Sequence, residues 1–194
     1  MRRLIIVVDA QADFMLSDGA LPVPGAEEVI APLNRWLAGL TPEDTAAVLF
    51  TFDTHDPVAY AGSAEAEAFP PHCLAGTPGW ALVADPATID PAIAVYRLTK
   101  SVFDMWAEAD ATVALFGGGQ PVPRDAFFAT LAAAGVGEAV VVGVAADFCV
   151  RWAVQGLIER GFSVAIPAAL TRGIARDIGQ VKDEEWSRAA VVLQ

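Results

Sequence analysis

Leu4-Ile5-Ile6-Val7-Val8-Asp9 is an unbroken apolar run rich in β-branched residues and closed by a carboxylate. A run of this length and type reads as a central strand of a parallel sheet, covered on both faces. It is too short for the apolar segment of a signal peptide or for a membrane span, although two arginines precede it. Asp9 therefore falls at the carboxyl end of a buried strand. Working outward, Pro24 and Gly25 precede residues 26–40, AEEVIAPLNRWLAGL, whose apolar positions recur at helical spacing; Pro32 is expected to kink that helix or mark a boundary. Residues 46–52 repeat the strand signal and bring Thr51, Asp53 and His55 to a second strand end. Residues 93–96 suggest a third strand with Lys100 just beyond it, 140–144 a fourth, and 162–166 a fifth. Residues 117–123 read as a flexible turn before the helical stretch RDAFFATLAAAG, CVRWAVQGLIER as a helix opened by Cys149 and ended by Gly161, and 183–192 as a last helix. Strands separated by helices imply an α/β fold with a parallel sheet and right-handed crossovers.

Composition narrows the function. The chain of 194 residues is 55% hydrophobic and 19% charged, which suits a single domain over residues 1–194 with a substantial core. Its 24 acidic residues against 12 basic ones give a net charge of −12. That charge repels phosphate backbones and anionic bilayers, so neither nucleic acid nor membrane is an expected partner. The cysteines, Cys73 and Cys149, do not form the pattern of a secreted disulfide scaffold, and a cytoplasmic location is expected.

Ligands of open α/β sheets bind outside the carboxyl ends of the strands. Asp9, Asp53, His55, Lys100 and Cys149 all map there. A lone cysteine is as a rule a small buried hydrophobe, but Cys149 at a helix start, with a lysine at a strand end, is placed for a lowered thiol pKa. Asp9 would then accept the thiol proton and return it to a leaving amine. Asp53 and His55, two apart in extended backbone, share a face, and His72 follows at FPPHCLAGTPG. Two histidines and a carboxylate suit Zn²⁺, Fe²⁺ or Mn²⁺, while an aspartate and histidine at that spacing also suit a satisfied turn pair. Glu65 is a candidate fourth ligand, with Glu67 and Asp56 as rivals. Phe14, Phe69, Trp80, Phe103 and Trp106 lie near these residues in the chain; core packing and the stacking of a flat substrate are both open to them.

VDAQADF (8–14), TFDTHDP (51–57), FPPHCLAGTPG (69–79), Lys100 and GVAADFCV (143–150) occur in an order that resembles the isochorismatase-like cysteine hydrolases, and within them the nicotinamidase/pyrazinamidase branch. The resemblance implies a three-layer α/β/α fold with a central, mainly parallel sheet. It implies Asp9, Lys100 and Cys149 as a catalytic triad, and a non-proline cis peptide between Val144 and Ala145 that aims the amides of Ala145 and Cys149 into an oxyanion hole. It also implies one divalent metal ion, Zn²⁺ first, on Asp53, His55 and His72, with Glu65 as a further ligand. Familiar members carry another histidine shortly after the DxH pair, where DTHDPVAY has none. Phe14 and Phe69 match the positions that sandwich a pyridine ring; Phe103 and Trp106 extend that substrate-binding set. The implied reaction is hydrolysis of nicotinamide to nicotinic acid and ammonia through a thioester, with pyrazinamide also accepted. Residues 101–123 depart from the branch pattern, which leaves another small carboxamide or a ureide as the rival substrate and an idle-site binding protein as the non-enzyme rival. A homo-oligomer is expected from the same resemblance.

Overall fold

The computed structural model describes all residues except Met1 and Arg188. The strands are β1 (Arg3–Val8), β2 (Thr45–Asp53), β3 (Val95–Lys100), β4 (Thr112–Leu115), β5 (Val122–Pro123), β6 (Glu138–Val144), β7 (Ser163–Ile166), β8 (Thr171–Arg172) and β9 (Val191–Leu193). The helices are α1 (Ala12–Met15), α2 (Glu27–Ala38), α3 (Pro57–Tyr60), α4 (Arg124–Ala133), α5 (Arg151–Glu159) and α6 (Ile178–Glu185). One mixed, mainly parallel sheet runs in the order β5-β4-β3-β2-β1-β6-β7-β9, with β8 paired to β6. Between the strands of this sheet, only the β3–β4 and β4–β5 pairings are antiparallel among the described residues.

The period of two in β1 splits the core into the two outer layers. Leu4, Ile6 and Val8 pack with Phe128 of α4, Leu157 of α5 and Val181 of α6. Ile5 and Val7 pack on the opposite face with Val29, Leu33 and Leu37 of α2 and with Phe14 and Met15 of α1. Each such fully buried side chain contributes about 1.5–3 kcal/mol, so the centre of the sheet is the rigid part of the molecule. Gly143 near the end of β6 has φ +109, and a Cβ there would stand 2.1 Å from the Val8 carbonyl oxygen. Glycine thus lets β1 and β6 lie close where both strands deliver residues to the site.

Several expectations are corrected. Of the two alternatives at Pro32, the boundary is overturned, since α2 runs through it from Glu27 to Ala38. The third strand lies later than 93–96: β3 ends on Lys100 itself. Its exposed Arg97 and Thr99 interrupt the apolar run that periodicity looks for. The stretch 101–123 contributes β4, and Val122 and Pro123 of the expected flexible turn form β5. The last helix is not 183–192. Asp177 and Gln180 form a reciprocal capping box that starts α6 at Ile178, and residues 191–193 form β9 against β7; Arg188 within that span lies outside the described residues. Cys149 does not open α5: it sits in a wide turn, Ala146–Val150, that precedes the helix.

Candidate active site

The strand ends converge as the topology requires. Asp9 follows β1 in a left-handed conformation (φ +46), a region that non-glycine residues enter at a cost when something local holds them. Here its backbone amide donates to Thr51 Oγ1 at 3.1 Å, and Thr51 Oγ1 donates back to Asp9 Oδ1 at 2.5 Å. Lys100 closes β3, with Nζ 2.8 Å from Asp9 Oδ2, 3.1 Å from Asp53 Oδ1 and 3.5 Å from Cys149 Sγ. All four residues are buried, with Cys149 5% exposed. The peptide bond Val144–Ala145 is cis, and the turn it introduces is closed by Phe148 and Val150 amides donating to the Ala145 carbonyl.

Electrostatics correct one expectation. Burial pushes the Cys149 thiol well above its ordinary value; the Lys100 ammonium opposes this, while Asp9 and Asp53 reinforce it. A lowered thiol pKa is therefore not what this environment produces, and the side chain rests as a neutral thiol. Lys100 is driven the other way: burial favours its neutral form, but the Asp53 and Asp9 carboxylates outweigh it and fix the ammonium. Asp53 is held far below the usual carboxylate range, since Lys100, His55 and His72 together overcome the cost of its burial.

Beside this cluster, Asp53, His55, Glu65 and His72 each offer one atom within 4.8 Å of the others. His55 Nε2 is 3.0 Å from Asp53 Oδ2 and 3.9 Å from Glu65 Oε2; His72 Nε2 is 3.2 Å from Asp53 Oδ2 and 3.3 Å from Glu65 Oε1. Ligands bound at about 2.0–2.1 Å around one tetrahedral ion lie roughly 3.3 Å apart, so this donor set fits a divalent cation. Glu65 Oε1 is buried with no properly aligned hydrogen-bond donor, which a cation would satisfy. Burial opposes a charge on His72, yet Asp53, Glu65 and the Pro70 carbonyl raise its pKa to about 10; the site holds a proton where a metal would replace it. Of the rivals, Asp56 caps α3 by accepting from the Val58 and Ala59 amides, and Glu67 is exposed.

The aromatic residues divide. Phe69 and Phe103 meet at 5.8 Å, and each packs on Phe148, at 5.5 and 5.3 Å. Phe14 packs instead on the His72 ring, 5.2 Å away. Trp106 does not join them. Its indole lies 4.7 Å from Phe128 and under the Arg160 guanidinium, and Nε1 donates to the Trp152 carbonyl, so it fastens its segment to α4 and α5. A surface cavity of about 550 Å³ lined by Pro24, Arg172, Ile174, Arg176 and Leu193 contains none of the residues above.

Sequence reasoning passed over three contributors. Phe148, adjacent to Cys149, is the hub of the ring cluster. Tyr60 donates to the Phe69 and Pro70 carbonyls and stands edge-on to both metal-side histidines. Gln11, fully buried, bonds the backbone of Asp53. Only Gln11 left a signal, as an amide flanked by alanines directly after a buried strand.

Comparison with known proteins agrees with this architecture. Residues 3–181 match the isochorismatase domain family. The chain is 30% identical, over 98% of its length and 97% of the relative's, to the nicotinamidase/pyrazinamidase of Mycobacterium tuberculosis. The pyrazinamidase of Pyrococcus horikoshii, solved in complex with zinc, superposes with a TM-score of 0.75 at 24% identity, covering 100% of this chain and 99% of that one. PnC1 from L. infantum, solved with nicotinate, gives 0.71 at 25% identity, covering 100% and 92%. A buried Asp–Lys–Cys cluster at the strand ends, a matching domain model and a relative alike over nearly its whole length place this chain in the isochorismatase-like hydrolase family, in its nicotinamidase/pyrazinamidase branch.

Proposed function

We propose that this hydrolase converts nicotinamide to nicotinic acid and ammonia, with Cys149 as nucleophile, Asp9 as general base and acid, and Lys100 as electrostatic partner. The observation that carries the reading is the single buried ammonium of Lys100, within 3.5 Å of the thiol and ion-paired to both Asp9 and Asp53. Because Cys149 rests as a thiol, its proton leaves for Asp9 as the sulfur attacks the amide carbon, and Lys100 stabilises the negative charge on sulfur along the way. The amides of Ala145 and Cys149 are assigned to the oxyanion, a kind of interaction worth about 3–4 kcal/mol per well-placed donor. Asp9 then protonates the departing ammonia and takes a proton from the water that releases the acid.

Asp53, His55, His72 and Glu65 would hold one divalent ion, Zn²⁺ first, with Fe²⁺ or Mn²⁺ also compatible with two nitrogen and two carboxylate donors. Bound there, the ion would supply positive charge that anchors and polarises the substrate. Phe69, Phe103 and Phe148 offer the aromatic surface for a flat ring. Since Phe103 comes from the divergent segment, a differently shaped small carboxamide or ureide is the second reading. Ammonia release across a panel of nicotinamide, pyrazinamide, a maleamate-like amide and a ureide separates the two. The highest kcat/KM is expected on nicotinamide, and a preference for a non-aromatic amide would overturn that assignment.

A further inference from the structure

Asp53 serves two clusters with one carboxylate: Oδ1 pairs with Lys100 Nζ at 3.1 Å, while Oδ2 faces His55 and His72 Nε2 at 3.0 and 3.2 Å. Such a division works only if the backbone carrying the carboxylate is fixed, and Asp53, the last residue of β2, is paired to Lys100 of β3 on one side but lies beyond the β1 ladder, which stops at Val7 and Phe50, on the other. The fully buried side chain of Gln11 takes over at that point. Its Oε1 accepts from the Asp53 amide at 2.8 Å, and its Nε2 donates to the Asp53 carbonyl at 2.8 Å and to the Trp80 carbonyl at 3.0 Å. Trp80 Nε1 in turn donates to Thr54 Oγ1 at 2.7 Å. One side-chain amide thereby replaces a neighbouring strand for Asp53 and ties it to the turn after the His72 loop.

We propose that Gln11 is a positioning residue for both halves of the site, acting through Asp53 on the metal set and on Lys100. The inference rests on the reading of those two clusters given above. Replacing Gln11 with Met keeps the shape but leaves the Asp53 amide and carbonyl buried without partners. Asn34→Leu is the matched control: Asn34 also bridges backbone through its amide, to the Val83 carbonyl and the Asp85 amide, away from Asp53. Zinc affinity by competition with a chelating dye, and kcat and KM for nicotinamide at saturating zinc, are measured for the parent, Gln11→Met, Gln11→Glu and Asn34→Leu, each checked for folding by circular dichroism.

Gln11→Met is expected to weaken zinc binding by roughly 10- to 100-fold, as loss of a group that orients a ligand does. Its kcat should stay depressed after zinc is restored to saturation, with KM near the parent's. Gln11→Glu keeps the acceptor for the Asp53 amide and should fall between, which also covers a Met variant that does not fold. Folded Gln11 variants with parental zinc affinity, or with kcat fully restored by zinc, would overturn the proposal. An equal loss in Asn34→Leu would reduce it to general destabilisation and overturn it as well. A parent that binds zinc but leaves nicotinamide intact overturns the substrate reading, and Gln11 is then judged on zinc affinity alone.

Discussion

The two clusters that share Asp53 are built from similar residues and balanced in opposite ways. On the Cys149 side, the carboxylates of Asp9 and Asp53 meet an ammonium carried by the chain itself. On the His72 side, Asp53 and Glu65 meet two imidazoles; burial disfavours a charge on His72, but its bonds to both carboxylates raise its pKa. Buried charges persist when paired and hydrogen-bonded. The first cluster is therefore balanced by the chain itself, and the second is a donor set that fits a divalent cation. The lesson is that a cluster balanced by its own lysine and a donor set suited to a cation lie side by side, joined by the single side chain of Asp53.

The largest expected effect comes from breaking the self-sufficient side. Lys100→Met leaves two buried carboxylates facing each other, and loss of one partner of such a pair costs about 3–5 kcal/mol. Chemical denaturation should show that loss together with the disappearance of amide turnover. A variant that keeps parental stability would show that Lys100 does not neutralise the cluster. Next in size is the cation-dependent side. His72→Ala should weaken zinc by more than the roughly 10- to 100-fold typical of removing a group that only orients a ligand, read by the same dye competition. Folding should suffer less than in Lys100→Met, because the imidazole it removes is not the charge that holds the sheet ends together.

A pH dependence sharpens the contrast. His72 titrates at about 10 in the folded protein against an ordinary 6.5. A raised folded pKa adds stability that is fully present below the unfolded value and fades as pH rises through the folded one. Metal-free protein should thus lose melting temperature between pH 6.5 and 10, while zinc-loaded protein, where the ion replaces that proton, should lose less. Parallel melting curves with and without zinc would contradict the assignment of charge.

Much of this was legible in the chain, for identifiable reasons. β1, β2 and β6 are covered on both faces, so each is an apolar run, and the rule that ligands gather at strand ends led from them to Asp9, Asp53 and Cys149, while Lys100 was reached from the third strand expected at 93–96. β4 and β5 are short pieces at one margin of the sheet, four and two residues long with exposed positions, and leave no run of that length. α6 began where a capping box said it should, a signal weaker to the eye than the apolar stretch that proved to be β9. The roles of Gln11, Tyr60 and Phe148 depend on partners dozens of residues away or on ring packing, which spacing does not encode. Trp106 misled because nearness along the chain stood in for nearness in space: residues 103 and 106 both pack against one core layer, but the first turns to the rings of Phe69 and Phe148 and the second to Phe128 and Trp152. The thiol was misjudged for a similar reason, since a sequence shows a cationic neighbour more readily than it shows burial.

The central claim is tested most directly by measuring ammonia release from nicotinamide by the zinc-loaded protein and by its Cys149→Ala variant, with zinc content and melting temperature checked in both. Turnover by the parent and none by a folded, equally loaded variant is the predicted result; comparable ammonia release from that variant would contradict the account.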